Sequence, residues 1–91
     1  MKMFDSPPMR ETLRRTIRAQ MAYKAFEYKD LSAALEELGV HQSESNLRSK
    51  VNNGALGAQL FVYILMALGV NNLDVTHLTQ ILNEVNSTET E

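Results

Sequence analysis

The residues in this chain best suited to recognising another molecule lie between positions 44 and 53: Asn46, Arg48, Ser49, Lys50, Asn52 and Asn53 in the segment Glu-Ser-Asn-Leu-Arg-Ser-Lys-Val-Asn-Asn. Arg and Asn side chains make paired hydrogen bonds to base edges in a DNA major groove, Arg to guanine and Asn to adenine. Lys and Ser commonly hold phosphates. A second set of cations, Arg14, Arg15 and Arg18, lies upstream and has the chemistry to clamp phosphates. The competing reading of both sets is a solvated polar face, with the arginines paired to acids such as Glu11.

Enzymatic and metal chemistry find little support. His41 and His77 are far apart, and neither has a partner at ligand spacing. There is no cysteine, no phosphate-cradling glycine loop and no nucleophile elbow. The expectation is a protein that is not an enzyme and has no catalytic residue, metal or cofactor. Glu36, Glu37, Glu27 and Asp30 read as surface charges. Tyr23 and Tyr28 read as core packing with a wet hydroxyl rather than base stacking.

Five helices are needed to position these residues. Ser6-Pro7-Pro8 punctuates the start of the first. Met9, Leu13, Ile17 and Met21 recur every four residues and predict a helix over 9–23, with Arg10, Arg14 and Arg18 flanking the stripe. The second helix is expected over 28–38, closed at Gly39. The third is expected over 44–53, capped by Ser43 or Ser45, anchored only by Leu47 and Val51, and ended by Gly54. The fourth, over 57–68, is apolar almost all round and is predicted to be the most buried element. The fifth, over 75–85, carries Leu78, Ile81, Leu82 and Val85 at helical spacing. The core is expected from Leu31, Leu35, Leu38, Leu47, Val51, Ile64, Leu65 and Leu68. Residues 1–8 read as a flexible leader, 9–86 as one helical domain and 87–91 as a frayed tail.

Composition sets bounds. The chain has 91 residues, of which 44% are apolar, enough for one domain. The longest apolar run, residues 60–68, falls well short of the roughly 20 residues a membrane span requires, so no membrane partner is expected. The absence of cysteine fits the cytoplasm. Net charge is −2, but residues 1–29 carry seven basic and three acidic groups and residues 30–91 carry two and eight. A local basic face is compatible with phosphate binding, because only charge within about 10 Å counts at moderate salt.

Short helices joined at glycines, with one polar helix among them, have the shape of a helix-turn-helix domain. Residues 28–75 resemble the lambda-repressor-like helix-turn-helix domains of bacterial and phage regulators. The matching pieces are Asp30-Leu31-Ser32-Ala33, Leu38-Gly39-Val40, Asn53-Gly54, Ile64, Ala67-Leu68-Gly69-Val70 and Leu73-Asp74. The likeness is closest to a small, uncharacterised bacterial subgroup. The stretch from Leu31 to Gly54 is longer than in the usual pattern, which extends the second helix and enlarges the turn around residues 41–45.

The resemblance implies an all-α, five-helix lambda-repressor-like domain that acts as a transcriptional regulator on double-stranded DNA. It places Ser45, Asn46, Ser49 and Lys50 near bases and Arg48 near bases or backbone. The full candidate interface is Ser45, Asn46, Arg48, Ser49, Lys50, Asn53, Arg14 and Arg18. A homodimer is expected through Phe61, Val62, Met66, Leu78, Ile81, Leu82 and Val85. It would set two recognition helices roughly 34 Å apart. The rival expectation is a helical protein-interaction module, an antitoxin or adaptor that has lost DNA readout and binds a protein partner.

Overall fold

The computed structural model describes residues 4–89, and these form five α-helices with no strand among them. They are α1 (Pro7–Lys24), α2 (Tyr28–Glu37), α3 (Glu44–Asn53), α4 (Ala58–Ala67) and α5 (Val75–Glu89).

Local chemistry explains where each helix begins. Ser6 accepts from the Met9 amide at 3.3 Å, and Pro7 and Pro8 occupy the first turn, where a missing N–H costs nothing. The Asp30 carboxylate accepts from the Glu27 amide at 2.8 Å and ties down the start of α2. Ser43, rather than Ser45, caps α3 by accepting from the Asn46 amide at 3.1 Å. Asp74 accepts from the amides of Thr76 and His77 at the start of α5.

Four of the helices are followed by a residue of positive φ, Ala25, Gly39, Gly54 and Gly69, and two of these matter most for the packing. α1 closes on Ala25 with φ +56°, a left-handed conformation that an L side chain rarely adopts. α3 closes on Gly54 with φ +61°. A Cβ at Gly54 would lie on the Arg10 peptide group of α1, 2.6 Å from its carbonyl carbon. Glycine is therefore required there twice over, by conformation and by the closeness of α1.

α1 packs along α5 and against α3, while α2 packs against α3 and α4. The core joins Ile17 and Met21 of α1, Leu31 and Leu35 of α2, Leu47 and Val51 of α3, and Ile64 with Leu68 from α4 and its end. Leu65 and Val85 are also buried. α3 hangs on its two apolar residues, both fully buried, as its sequence pattern requires.

Several expectations are corrected. α4 is not the most buried helix: Val62 and Met66 are each 52% exposed and Tyr63 39%. Apolar sequence made it look enclosed, but its helical neighbour is α2, and α5 lies along α1 instead. Leu38 is not core; it is 40% exposed at the α2 terminus. Tyr23 stands out in solvent at 85% exposure. Val85 is buried, and Ile81 and Leu82 are half-buried on the helix that packs on α1, so they are not a free dimer surface. α1 starts within the expected leader, at Pro7, and α5 runs past residue 86 through Glu89. The remaining ends of the expected leader and tail, residues 1–3 and 90–91, lie outside the described residues.

Candidate nucleic-acid interface

With Leu47 and Val51 turned inward, α3 turns the rest of its residues outward. Ser45, Asn46, Arg48, Ser49, Asn52 and Asn53 are exposed and Lys50 is half-buried. The two cations of α3 sit on opposite flanks. Arg48 faces α2: its guanidinium carbon is 5.3 Å from the centre of the Tyr28 ring, in cation–π range, and its Nη2 is 3.1 Å from Glu44 Oε1 one turn earlier. Lys50 faces the start of α4 and lines a shallow recess with Gln42, Gly57, Gln59 and Tyr63. Asn46, on the Lys50 side, donates to Gln42 Oε1 at 2.6 Å.

The arginines of α1 are divided by their partners. Arg14 and Arg15 share one carboxylate, Glu11, at 2.9 and 2.8 Å. The hydrogen bond from Arg15 is the main cause holding the Glu11 carboxyl below its ordinary range; burial opposes it, and the hydrogen bond from Arg14 lowers it further. Arg18 instead donates to Asn52 Oδ1 of α3 at 3.2 Å, and the Tyr28 hydroxyl reaches the same oxygen at 3.3 Å. Arg18, Arg48, Phe26 and Tyr28 line a common recess of about 480 Å³, with Glu27 and Glu44 on its wall.

The structure therefore brings Arg18 and Arg48 together with the exposed row of α3. Arg14 lies one turn from Arg18 along α1. Asn53 lies beside α1, in a smaller recess with Arg10 and Glu11. Ser45 and Ser49 stand exposed on the outer row. Lys50 is separated from Arg48 by the width of the helix. Arg18 and Lys50 have no carboxylate partner among the described residues, and Glu11 serves two arginines, so the face keeps a positive excess despite the negative chain.

Sequence reasoning placed Asn52 on the surface but left it out of the site, and it read Tyr28 as core packing with a wet hydroxyl but gave that hydroxyl no partner. Their shared hydrogen bonds join residues 34 and 24 positions apart, which no local spacing reveals. The Glu11–Arg15 and Glu44–Arg48 pairs, by contrast, stand four apart on one helix and are readable from spacing. Elsewhere, His41 makes a long contact of 3.7 Å to Glu36, both exposed. No three His, Asp or Glu side chains cluster at ligating range among the described residues. No described helix is long and apolar enough to cross a membrane.

Fold and surface together define an all-helical domain of five helices whose third helix carries an exposed polar row. A family model described as a domain of unknown function, DUF6471, matches residues 9–73, which span α1 to α4 and most of the turn after them. The chain belongs to that family. No curated protein and no solved structure matches it.

Proposed function

We propose that the chain is a sequence-specific DNA-binding protein, a small transcriptional regulator of helix-turn-helix type with α3 as its reading helix. The observation that carries this reading is the Arg18–Asn52 bond. It joins the basic face of α1 to the exposed polar row of α3, so that phosphate-binding and base-reading chemistry share one surface. α3 is anchored in the core by two residues, which leaves its outer side, with Ser45, Asn46 and Ser49, exposed for a groove. In the complex, Arg18, Lys50 and the Arg14–Arg15 pair contact phosphates. Arg48, Asn46 and Ser49 approach base edges, with Ser45 and Asn53 at the two ends of the row.

The test is titration of labelled duplex DNA, selected from a random pool, at two salt concentrations. Arg48→Ala should lose about 1–3 kcal/mol of discrimination at one base position. Lys50→Ala should weaken all sequences alike and reduce the salt slope by about one unit. If both variants stay folded by circular dichroism and bind as the parent does, α3 is not the reading helix.

A protein-interaction module is the second reading, and the uncovered apolar face of α4 is the observation that favours it. A stoichiometric protein complex from which nucleic acid is absent would support that reading over DNA.

A further inference from the structure

The face of α4 that no helix covers suits pairing with its own copy on two counts, charge and shape. The first concerns charge. A two-fold interface sets a surface against its own copy, so a row of one charge sign would face like charge. α4, with the sequence Ala-Gln-Leu-Phe-Val-Tyr-Ile-Leu-Met-Ala, contains no charged residue. The second concerns shape. Ala58, Val62 and Met66 recur every four residues and form one row along the helix. With Gln59 and Tyr63 they line a shallow depression of about 540 Å³. The row runs from the smallest side chain, through a middle-sized one, to the longest.

We infer that α4 pairs antiparallel with α4 of a second copy of this chain, about a two-fold axis at Val62. In that arrangement Ala58 of each copy stands opposite Met66 of the other, and the short residue receives the long one twice. Val62 meets itself at the centre. A parallel pair would set Met66 against Met66 and Ala58 against Ala58, leaving a clash at one end and a void at the other. The interface is far smaller than the α4–α5 surface that sequence alone suggests, because α5 is occupied by α1. One helix row per copy falls at or below the lower end of specific interfaces, about 1,200 Å² in total, so the association is a weak one. Lys50 lines the recess beside Ala58, Gln59 and Tyr63, so the pair brings the two α3 helices to either side of the axis. The pairing stands whether or not α3 binds DNA.

The chain has no cysteine, so a single introduced thiol reports alone. Val62→Cys at tens of micromolar under mild oxidation should give a disulfide-linked dimer on a non-reducing gel, since only close approach of the two Cα atoms permits the bond. Met66→Cys alone should cross-link at least tenfold less. An equimolar mixture of Ala58→Cys and Met66→Cys should give the mixed dimer. Sedimentation equilibrium of the parent chain at up to hundreds of micromolar should approach twice 10.3 kDa. Val62→Asp should return the monomer mass with unchanged helix content, because Val62 is half exposed. A parent chain that stays monomeric throughout overturns the inference, as does equal cross-linking by Met66→Cys and Val62→Cys. A Val62→Asp variant that remains dimeric would place the interface elsewhere and also overturn it.

Discussion

Arg18 on α1 donates from Nη1 to the Oδ1 atom of Asn52 on α3 at 3.2 Å. The bond is exposed and adds little stability, but it fixes where the α1 charge sits relative to α3. Asn52→Asp offers Arg18 a carboxylate in place of an amide oxygen. The folded chain should keep its stability to within about 1 kcal/mol, as exposed ion pairs do. DNA affinity should fall and the salt slope should shrink by about one unit, because Arg18 is then neutralised in the free protein. Asn52→Ala should leave the slope unchanged. Chemical denaturation and salt-dependent titration read the two effects separately.

Glu11 supplies a test of opposite sign. Its carboxylate holds both Arg14 and Arg15, and Glu11→Gln releases both guanidinium groups. Binding to DNA should tighten and the salt slope should steepen, whereas Arg14→Ala and Arg18→Ala should weaken binding. A Glu11→Gln variant with unaltered affinity would remove Arg14 and Arg15 from the interface.

The same carboxylate gives a pH dependence. Its folded pKa is lowered, chiefly by the hydrogen bond from Arg15, so it binds its proton less readily in the folded than in the unfolded chain. The stabilisation is therefore fully present above the ordinary carboxylate range and is lost as pH falls through the lowered folded value. Thermal unfolding should show the parent chain more stable than Glu11→Gln at neutral pH, with the gap closing below about pH 4. The gap should be within about 1 kcal/mol, as the group is partly exposed.

Gly54 and Gly39 both have positive φ, +61° and +81°, but their surroundings differ. A Cβ at Gly39 meets nothing within 4 Å, while one at Gly54 meets the Arg10 backbone. Gly39→Ala should cost about 1–2 kcal/mol, the left-handed strain alone. Gly54→Ala adds displacement of α1, for another 1–3 kcal/mol or so. Urea midpoints that fall equally for both would show that α1 does not press on Gly54.

Ala25 carries the reverse opportunity. It occupies the left-handed position that closes α1, where its amide reaches the Ala22 carbonyl at 3.1 Å. Ala25→Gly should raise stability by about 0.5–1 kcal/mol, since the strain disappears while the hydrogen bonds remain. A loss of stability in urea unfolding would contradict the left-handed cap.

The five helices were legible because the signals that make them are local. Apolar residues every three or four positions, Ser43 before α3 and Gly54 after it act within a turn or two, and α3 was read with its observed bounds. Ala25 was invisible because nothing in its type announces a left-handed residue. The pairing of Glu11 with the α1 arginines was read at close spacing, while the Arg18–Asn52–Tyr28 contact depends on how three helices cross.

The sequence by itself determined helix content, the two anchors of α3 and the polar row they leave outside, because side-chain periodicity on a helix dictates which residues share a face. Only the tertiary structure decided which apolar faces remain uncovered. α4 and α5 both carry apolar residues enough to be buried, but α1 has room for α5 along its length and α4 is left against α2, with Val62, Tyr63 and Met66 toward solvent. That choice turns on the packing of whole helices over long sequence separations, and no window of residues contains it.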